Sequence, residues 1–366
     1  MESRCEFPMR KRFRLRDGFG YDYKSAMNRI VNAIAPTRVC DLGGWTDTWF
    51  AGHGAVLNVA TYPYVEVQIR VEDHPDPEQP VVLNVENYND TYSVNPQDIT
   101  YDKHPMIEAA IDLMKVPTGR SYSINIFSEA PPGASMGTSA AVSVALVGGL
   151  SRLAETQLTP HEVASLAHSI ETDMLGMQCG IQDQLASAYG GINFMQMHKF
   201  PHASVSSLQV PNNVWWELEH RLMVIYIGTP HSSSEVHQKV IADLGDDASD
   251  DPRMQRLREM AEEGKNALYS GDFARLGWCM NENTEAQRDL HPALVCEAFE
   301  QMIEMSAEFG ALGCKVNGAG GDGGSLTILT DGDMPRKRKL QKALTEKGFT
   351  PLSIYLSRQG LRVWEA

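Results

Sequence analysis

Apolar and polar residues alternate along two stretches of this chain. The stretch 55–71 alternates around the β-branched residues Val65, Val67, Ile69 and Val71, and Tyr122, Ile124 and Ile126 repeat the pattern over 121–127. A period of two places such side chains on one face of a pleated backbone, so each stretch is expected to be a strand with one buried face. A shorter apolar run, Ile30–Cys40, precedes them. Residues 1–28 are polar, basic and aromatic without a period and are read as an arm with a fraying end. The acidic, proline-containing stretch 73–80 is read as a loop.

The period then changes. The pair Pro131-Pro132 ends the second strand, and Gly-Ala-Ser-Met-Gly-Thr-Ser (133–139) runs straight into an alanine- and valine-rich segment, giving strand, glycine loop and helix in sequence. Thr159-Pro160-His161-Glu162 has the form of a capping box with proline at the first helical position, followed by Val163, Leu166, Ala167 and Ile170 at helical spacing. The stretch 203–216 reads as the exit from a first half. The second half is expected to hold a strand at 221–227, a helix opened by Ser232–Glu235, helices over 252–269 and 292–309, and a basic helix over 335–347 between strands at 325–329 and 352–355. Strands and helices interleave without a strict βαβ rhythm, which fits an α+β architecture.

Composition narrows the picture. A length of 366 residues suggests about two domains. A net charge of −15 argues against a nucleic-acid partner, which would want a basic face. The longest apolar run, 140–150, is short of the roughly 18–20 residues that span a bilayer, and no apolar segment of signal-peptide type follows the basic N-terminus. The six cysteines form no CxxC pair, so reduced thiols in a cytoplasmic protein are expected.

Three segments carry residue types suited to phosphate chemistry. In 131–141 the glycines allow close backbone approach to an anion at a helix N-terminus, with hydroxyls at Ser135, Thr138 and Ser139; a glycine turn that only starts a buried helix would look the same. The same residues match G-x-S-x-G, the nucleophile elbow, but the prolines interrupt the strand that an elbow needs. In 171–184 Glu171 could ligate Mg²⁺ and Asp183, twelve positions on, could take or orient a hydroxyl proton; alternatively Glu171 is solvated and Asp183 caps a helix over 184–188. The third, 315–324, holds five glycines within 318–324, more than a turn requires, although a flexible connector would share that composition.

In this order the segments resemble the GHMP kinases, the superfamily of galactokinase, homoserine kinase, mevalonate kinase and phosphomevalonate kinase. Ala35-Pro36-Thr37-Arg38-Val39 is similar to the family's A-P-G-K/R-V opening, and Gly43-Gly44-Trp45-Thr46-Asp47 sits where galactokinases carry G-E-H-T-D. The loop 131–141 resembles P-x-G-x-G-L-G-S-S-A-A, Cys179–Gln184 resembles C-G-I-M-D-Q, and 318–324 resembles the third glycine motif. The flavour is that of the sugar kinases, especially the heptose-phosphate kinase and fucokinase branch, where G-G-x-S/T-D is common.

The resemblance implies a two-domain α+β fold: an arm (1–28), an N-terminal ribosomal-protein-like α/β domain (29–212) and a ferredoxin-like C-terminal domain (213–366), with the active site in the cleft between the two. It implies ATP and Mg²⁺ as cofactors. Asp183 and Arg38 would be catalytic, and Pro132, Gly133, Ala134, Ser135, Met136, Gly137, Thr138 and Ser139 would bind the nucleotide phosphates. Ser139 and Glu171 would hold the metal, while Gly44, Trp45, Thr46, Asp47, Asp183 and Gly320 would meet the substrate. Arginine stays protonated, so Arg38 would stabilise charge rather than act as a base. The implied reaction moves the γ-phosphoryl of ATP to a hydroxyl, the anomeric one by similarity to that branch, of a monosaccharide or of a sugar phosphate such as D-glycero-D-manno-heptose 7-phosphate. Alternatives are a fucokinase- or galactokinase-like enzyme of an unphosphorylated sugar, a non-catalytic sugar sensor on the same fold, a decarboxylase sharing the phosphate loop, and a serine hydrolase. The expected partner is a small sugar or sugar phosphate, with no nucleic acid and no membrane, and a monomer or homodimer is expected. Several departures bear on specificity. Gly44-Trp45 replaces the acid and histidine of galactokinases, Ser135 and Met136 replace glycine and leucine, and Asp322, which interrupts the third glycine run, is expected to point outward.

Overall fold

The structure, a computed structural model, describes residues 29–366 apart from 73–75, 77, 230–232 and 246. The arm read over 1–28 and the cap read at Ser232 lie outside the described residues. In chain order the first part runs β1 (Ile30–Leu42), β2 (Gly54–Glu72), β3 (Val81–Val85), β4 (Asp90–Val94), α1 (Pro105–Met114), β5 (Ser121–Ser128), α2 (Thr138–Leu153), α3 (Pro160–Ser169), α4 (Gln182–Tyr189), β6 (Ile192–Lys199), β7 (His202–Ser207) and α5 (Asn212–Arg221). The second runs β8 (Leu222–Tyr226), α6 (Ser233–Leu244), α7 (Pro252–Ser270), α8 (Phe273–Leu290), α9 (Glu297–Glu308), β9 (Gly313–Val316), β10 (Ser325–Leu329), α10 (Met334–Glu346), β11 (Thr350–Leu352), β12 (Tyr355–Leu356) and β13 (Arg362–Glu365).

The alternating stretches form strands for the reason their pattern suggests. Val65, Val67, Ile69 and Val71 of β2 are buried while Glu66 and Arg70 face water. At 19 residues β2 is long enough to hold β1 along one edge and three partners along the other, β6 against 54–59, β12 against 61–62 and β5 against 65–72. The main path of this sheet is β13-β1-β2-β5-β3-β4, antiparallel except for the parallel pair β3 and β5. Its covered face packs on α2, α3 and α4 through a core of aliphatic side chains, including Val144, Leu146, Val163 and Leu185. Burying each such side chain stabilises by about 1.5–3 kcal/mol. The alanines and glycines of α2 let it lie close to its neighbours: a Cβ on Gly148 would come within 2.5 Å of the Leu361 side chain. The capping box of α3 forms as read, with Thr159 and Glu162 satisfying each other's backbone N–H groups.

A second, four-stranded antiparallel sheet has the order β11-β8-β10-β9. A core shared by Leu42, Leu57, Met136, Phe194, Val224, Met260 and Leu276 joins it to the near ends of β1 and β2, directly beneath the glycine loop.

Two expected elements are broken. The strand expected over 352–355 is split, because Leu352 pairs with Val224 in the second sheet while Tyr355 pairs with Tyr62 in the first. The chain therefore crosses between sheets there and ends on the first one. The helix expected over 292–309 is interrupted after a 3₁₀ turn at Pro292–Leu294. Val295 is extended, with φ −123° and ψ 90°, and bridges Gly321, so a tertiary contact to the third glycine segment overrides helical periodicity.

Candidate active site

Four segments remote in sequence meet in one cleft of about 270 Å³, lined by Arg38, Trp45, Asp47, residues 133–140, Glu171, Cys179, Gly180, Gln182, Asp183, Gln184, Gly318 and Ala319, among others. Arg38, carried by β1, is buried. Its Nε donates to Asp183 Oδ1 at 2.7 Å, its Nη2 to Asp183 Oδ2 at 2.9 Å, and its Nη1 to the Ser135 carbonyl. Burial alone would lower the guanidinium's affinity for its proton; the fields of Asp183, Asp41 and Asp47 outweigh it and raise the pKa instead. Asp183 lies in the first turn of α4 but does not cap it, for the helix has no side-chain cap. Each carboxylate oxygen of Asp183 accepts one bond from Arg38 and keeps a further lone pair.

The glycine loop faces this pair. Gly133, Ser135 and Gly137 all hold positive φ, at 71°, 58° and 70°. Gly137 precedes α2, and no side chain caps that helix, so its first N–H groups open toward the cleft with the favourable end of the helix dipole behind them. A Cβ on Gly137 would lie 3.1 Å from Asp183 Oδ2, so loop and carboxylate are in close contact. Ser139 is exposed on the cleft wall, and Thr138 Oγ1 is buried without a hydrogen-bond partner. Pro132 stands outside the lining, its carbonyl accepting from the Tyr226 hydroxyl at 3.3 Å. Among the described residues the lining contains no histidine to activate Ser135, so the cleft lends a hydrolase elbow no support.

Glu171 occupies a single π-helical turn, Ile170–Met174, that follows α3. Such turns are frequent at functional sites. Its carboxylate is buried and accepts from Gln184 Nε2 at 2.6 Å, so the solvated reading does not hold. Burial pushes the Glu171 carboxyl up to about 7, against the Gln184 hydrogen bond and with help from Asp183. Among the described residues no three His, Cys, Asp or Glu side chains cluster to hold a metal ion. A buried carboxylate in the same cleft as the Ser139 hydroxyl nevertheless suits Mg²⁺, which takes one or two protein oxygens and completes its shell from phosphates and water.

Asp47 lines the same cleft, is buried, and accepts from the Gln182 backbone N–H at 3.0 Å and, more weakly, from Gln182 Nε2 at 3.5 Å. Burial raises its pKa to about 6, opposed by the Gln182 N–H and aided by Asp183. Trp45 lines the cleft with φ 81°, a strained conformation of a kind found at functional sites. Trp49 does not line it, packing edge-on against Phe50 and Phe200.

Three residues grouped with Asp47 by sequence lie behind the wall. Gly44 packs on Asp41, where a Cβ would come within 2.8 Å of Oδ2. The Thr46 hydroxyl donates toward the Gly43 and Ala55 carbonyls at 2.7 and 3.0 Å and accepts from the Ala55 N–H at 3.1 Å, which holds the turn. Gly320 leaves room for the Leu294 carbonyl, 2.2 Å from where a Cβ would sit. Thr46→Val is accordingly expected to cost about 1–3 kcal/mol of stability, read by denaturant unfolding, because it strands buried partners; an unchanged midpoint would contradict this role.

Sequence reasoning did not single out Asp41, Lys315, Gln182 and Gln184. Asp41 and Lys315 are fully buried and lie 3.4 Å apart. Asp41 also accepts the Gly318 N–H on both oxygens at 3.1 Å, tying the third glycine segment to β1. Burial lowers the Lys315 pKa, with Asp41 opposing. The available signal was a charge inside each of two apolar strand patterns, Val-Cys-Asp-Leu and Cys-Lys-Val. Asp322 is exposed, as expected.

The two raised carboxyl pKa values carry a sign for stability. Glu171 and Asp47 shift from ordinary values of 4.5 and 3.8 to about 7 and about 6, so between these limits the folded chain binds more protons than the unfolded one. Stability contributed by these groups is therefore present at low pH and falls as pH rises through that window. The thermal midpoint of ligand-free protein is expected to decline from pH 5 to 7.5, less steeply for Glu171→Gln; equal slopes for the two proteins would refute the assignment.

Comparison with known proteins places this geometry. Residues 105–191 match the model of the GHMP kinases N terminal domain and residues 265–348 that of the GHMP kinases C terminal domain. The chain is 33% identical over 250 residues to mevalonate kinase of Thermococcus sibiricus, covering 67% of this chain and 69% of that protein. It is 26% identical over 253 residues to D-glycero-alpha-D-manno-heptose 7-phosphate kinase of Campylobacter jejuni, covering 69% and 73%. A crystal structure of a D-glycero-D-manno-heptose 1-phosphate kinase from Bacteriodes thetaiotaomicron superposes with a TM-score of 0.71 at 22% identity, over 91% of this chain and 98% of that one. No helix among the described residues is long and apolar enough to cross a membrane. With both family domains in order along one chain and a two-sheet α+β fold to match, this protein belongs to the GHMP kinase family and is a phosphotransferase.

Proposed function

We propose that the protein is an ATP-dependent sugar kinase that transfers the γ-phosphoryl to a hydroxyl, the anomeric one, of a monosaccharide or sugar phosphate. The observation that carries this reading is the bidentate Arg38–Asp183 pair facing the uncapped start of α2 in a cleft that also holds Asp47 and Glu171. The likeness to a heptose 7-phosphate kinase and to a plant fucokinase supports a sugar as acceptor.

In this reading the backbone N–H groups of 133–138 receive the nucleotide phosphates. Glu171 and Ser139 hold Mg²⁺, which neutralises phosphate charge when bound. Asp47 accepts hydrogen bonds from sugar hydroxyls. Asp183 orients the attacking hydroxyl and takes its proton as the new oxygen–phosphorus bond forms and the bond to the β-phosphate oxygen breaks, releasing ADP. Arg38 fixes Asp183 in place and stabilises charge on the transferring group. Residues 29–212 and 213–366 are the two domains, with the C-terminal strands returning to the first, and the enzyme works in the cytoplasm as a monomer or homodimer.

The test is sugar-dependent ADP release from Mg-ATP with heptose 7-phosphate, fucose, galactose, arabinose and mannose. At least one acceptor is expected to raise turnover well above the basal ATPase rate, and a flat panel would remove the assignment.

A further inference from the structure

The acceptor wall carries three hydrogen-bond acceptors. Asp47 offers a buried carboxylate, Asp183 a half-buried one, and Gln182 an amide oxygen. Gln182 is 6% exposed and lines the cleft; its backbone N–H and Nε2 both point at Asp47, while its Oε1 is buried with no hydrogen-bond partner. The amide orientation follows from Asp47, since turning it over would set an oxygen against the carboxylate. A ligand that satisfies this wall must bring donors, and hydroxyl groups are donors whereas a phosphate dianion is not.

Charge points the same way. Among the described residues lining the cleft, Arg38 is the one cation, and its Nε, Nη1 and Nη2 are all engaged by Asp183 and the Ser135 carbonyl. Three carboxylates, Asp47, Glu171 and Asp183, share the same space. Among these described residues a second phosphate, carried by the acceptor, would find no free cation to pair with and would meet the Asp47 carboxylate.

We propose that the acceptor is an unphosphorylated sugar whose adjacent hydroxyls donate to Asp47 and to the Gln182 amide oxygen, which makes Gln182 a specificity-determining residue. This rests on the sugar-kinase reading and chooses between its two acceptor classes. The Gln-for-Met difference from the galactokinase pattern C-G-I-M-D-Q falls on this residue.

The experiment compares matched acceptors, mannose against mannose 6-phosphate and D-glycero-D-manno-heptose against its 7-phosphate, by ADP release from the full-length enzyme with Mg-ATP. Free sugars are expected to exceed their phosphates by at least 100-fold in kcat/KM for one pair or both. Gln182→Met is expected to raise KM for the preferred sugar at least 10-fold while KM for ATP and the thermal midpoint hold, a split that a purely structural role would not produce. Preference for a phosphorylated acceptor would overturn the proposal and leave the sugar-kinase reading standing. An unchanged sugar KM in Gln182→Met would overturn the role of that residue. Turnover of neither member of any pair, nor of fucose, galactose or arabinose, would bring down the sugar-kinase reading and this inference with it.

Discussion

Asp183→Asn is expected to lower kcat by about 10²–10⁴-fold, the range over which a positioned acid or base contributes. Asparagine keeps the shape of the side chain but replaces one carboxylate oxygen by a donor. That donor would face a guanidinium already donating to both oxygens, at 2.7 and 2.9 Å, so Arg38 loses one of its two bonds to this side chain and the attacking hydroxyl loses its proton acceptor. Arg38 is 4% exposed, and a buried charge stripped of its partner is strongly destabilising, so the variant should also melt earlier. Steady-state turnover, with nucleotide binding followed separately by calorimetry, checks the claim. A variant that binds nucleotide and keeps more than a tenth of wild-type turnover would show that Asp183 is not the reacting carboxylate; undiminished turnover would favour a sugar sensor whose activity lies elsewhere.

A change as small as one methyl group should have a comparable effect at Gly180. A Cβ there would sit 1.9 Å from Asp47 Oδ2 and 2.4 Å from Cγ, well inside van der Waals contact. Asp47 cannot simply retreat, because Gln182 holds it from the backbone N–H at 3.0 Å. Either the carboxylate or the 179–182 turn must move. Displacements of about 1 Å at a positioning group cost on the order of 10²-fold. Gly180→Ala is therefore expected to reduce kcat/KM for the acceptor about 100-fold while leaving ATP affinity near wild type, since the new methyl group meets Asp47 and not the glycine loop. Normal acceptor kinetics in a folded Gly180→Ala protein would mean that Asp47 does not touch the sugar.

Both predictions turn on contacts between residues far apart in the chain, and that separates what was legible in the sequence from what was not. The period-two runs at 65–71 and 122–126, the capping box Thr159–Glu162 and the glycine loop leading into α2 are local signals, and each produced its element. Helix α8 had no counterpart in the sequence reading. The helix over 292–309 and the strand over 352–355 failed where a partner elsewhere, Gly321 in one case and two different sheets in the other, decided the backbone. At the site, Arg38, Asp47, Glu171 and Asp183 were named from motifs, and the structure brings all four to one cleft. Gly44, Thr46 and Gly320 came from those motifs too, yet they shape the wall from behind.

By itself the amino-acid order determined the local grammar: which segments extend, which coil, where an anion-friendly loop meets a helix start, and which carboxylates could do chemistry. Those follow from side-chain periodicity and backbone freedom within a few residues. Tertiary structure alone decided that Arg38 spends its donors on Asp183, that Asp41 and Lys315 form a buried pair behind the loop, and that Glu171 and Asp47 hold their protons to near-neutral pH. The reason is physical: burial and electrostatic fields depend on distance through space, and a linear pattern carries no record of which of its distant charges will share one cleft.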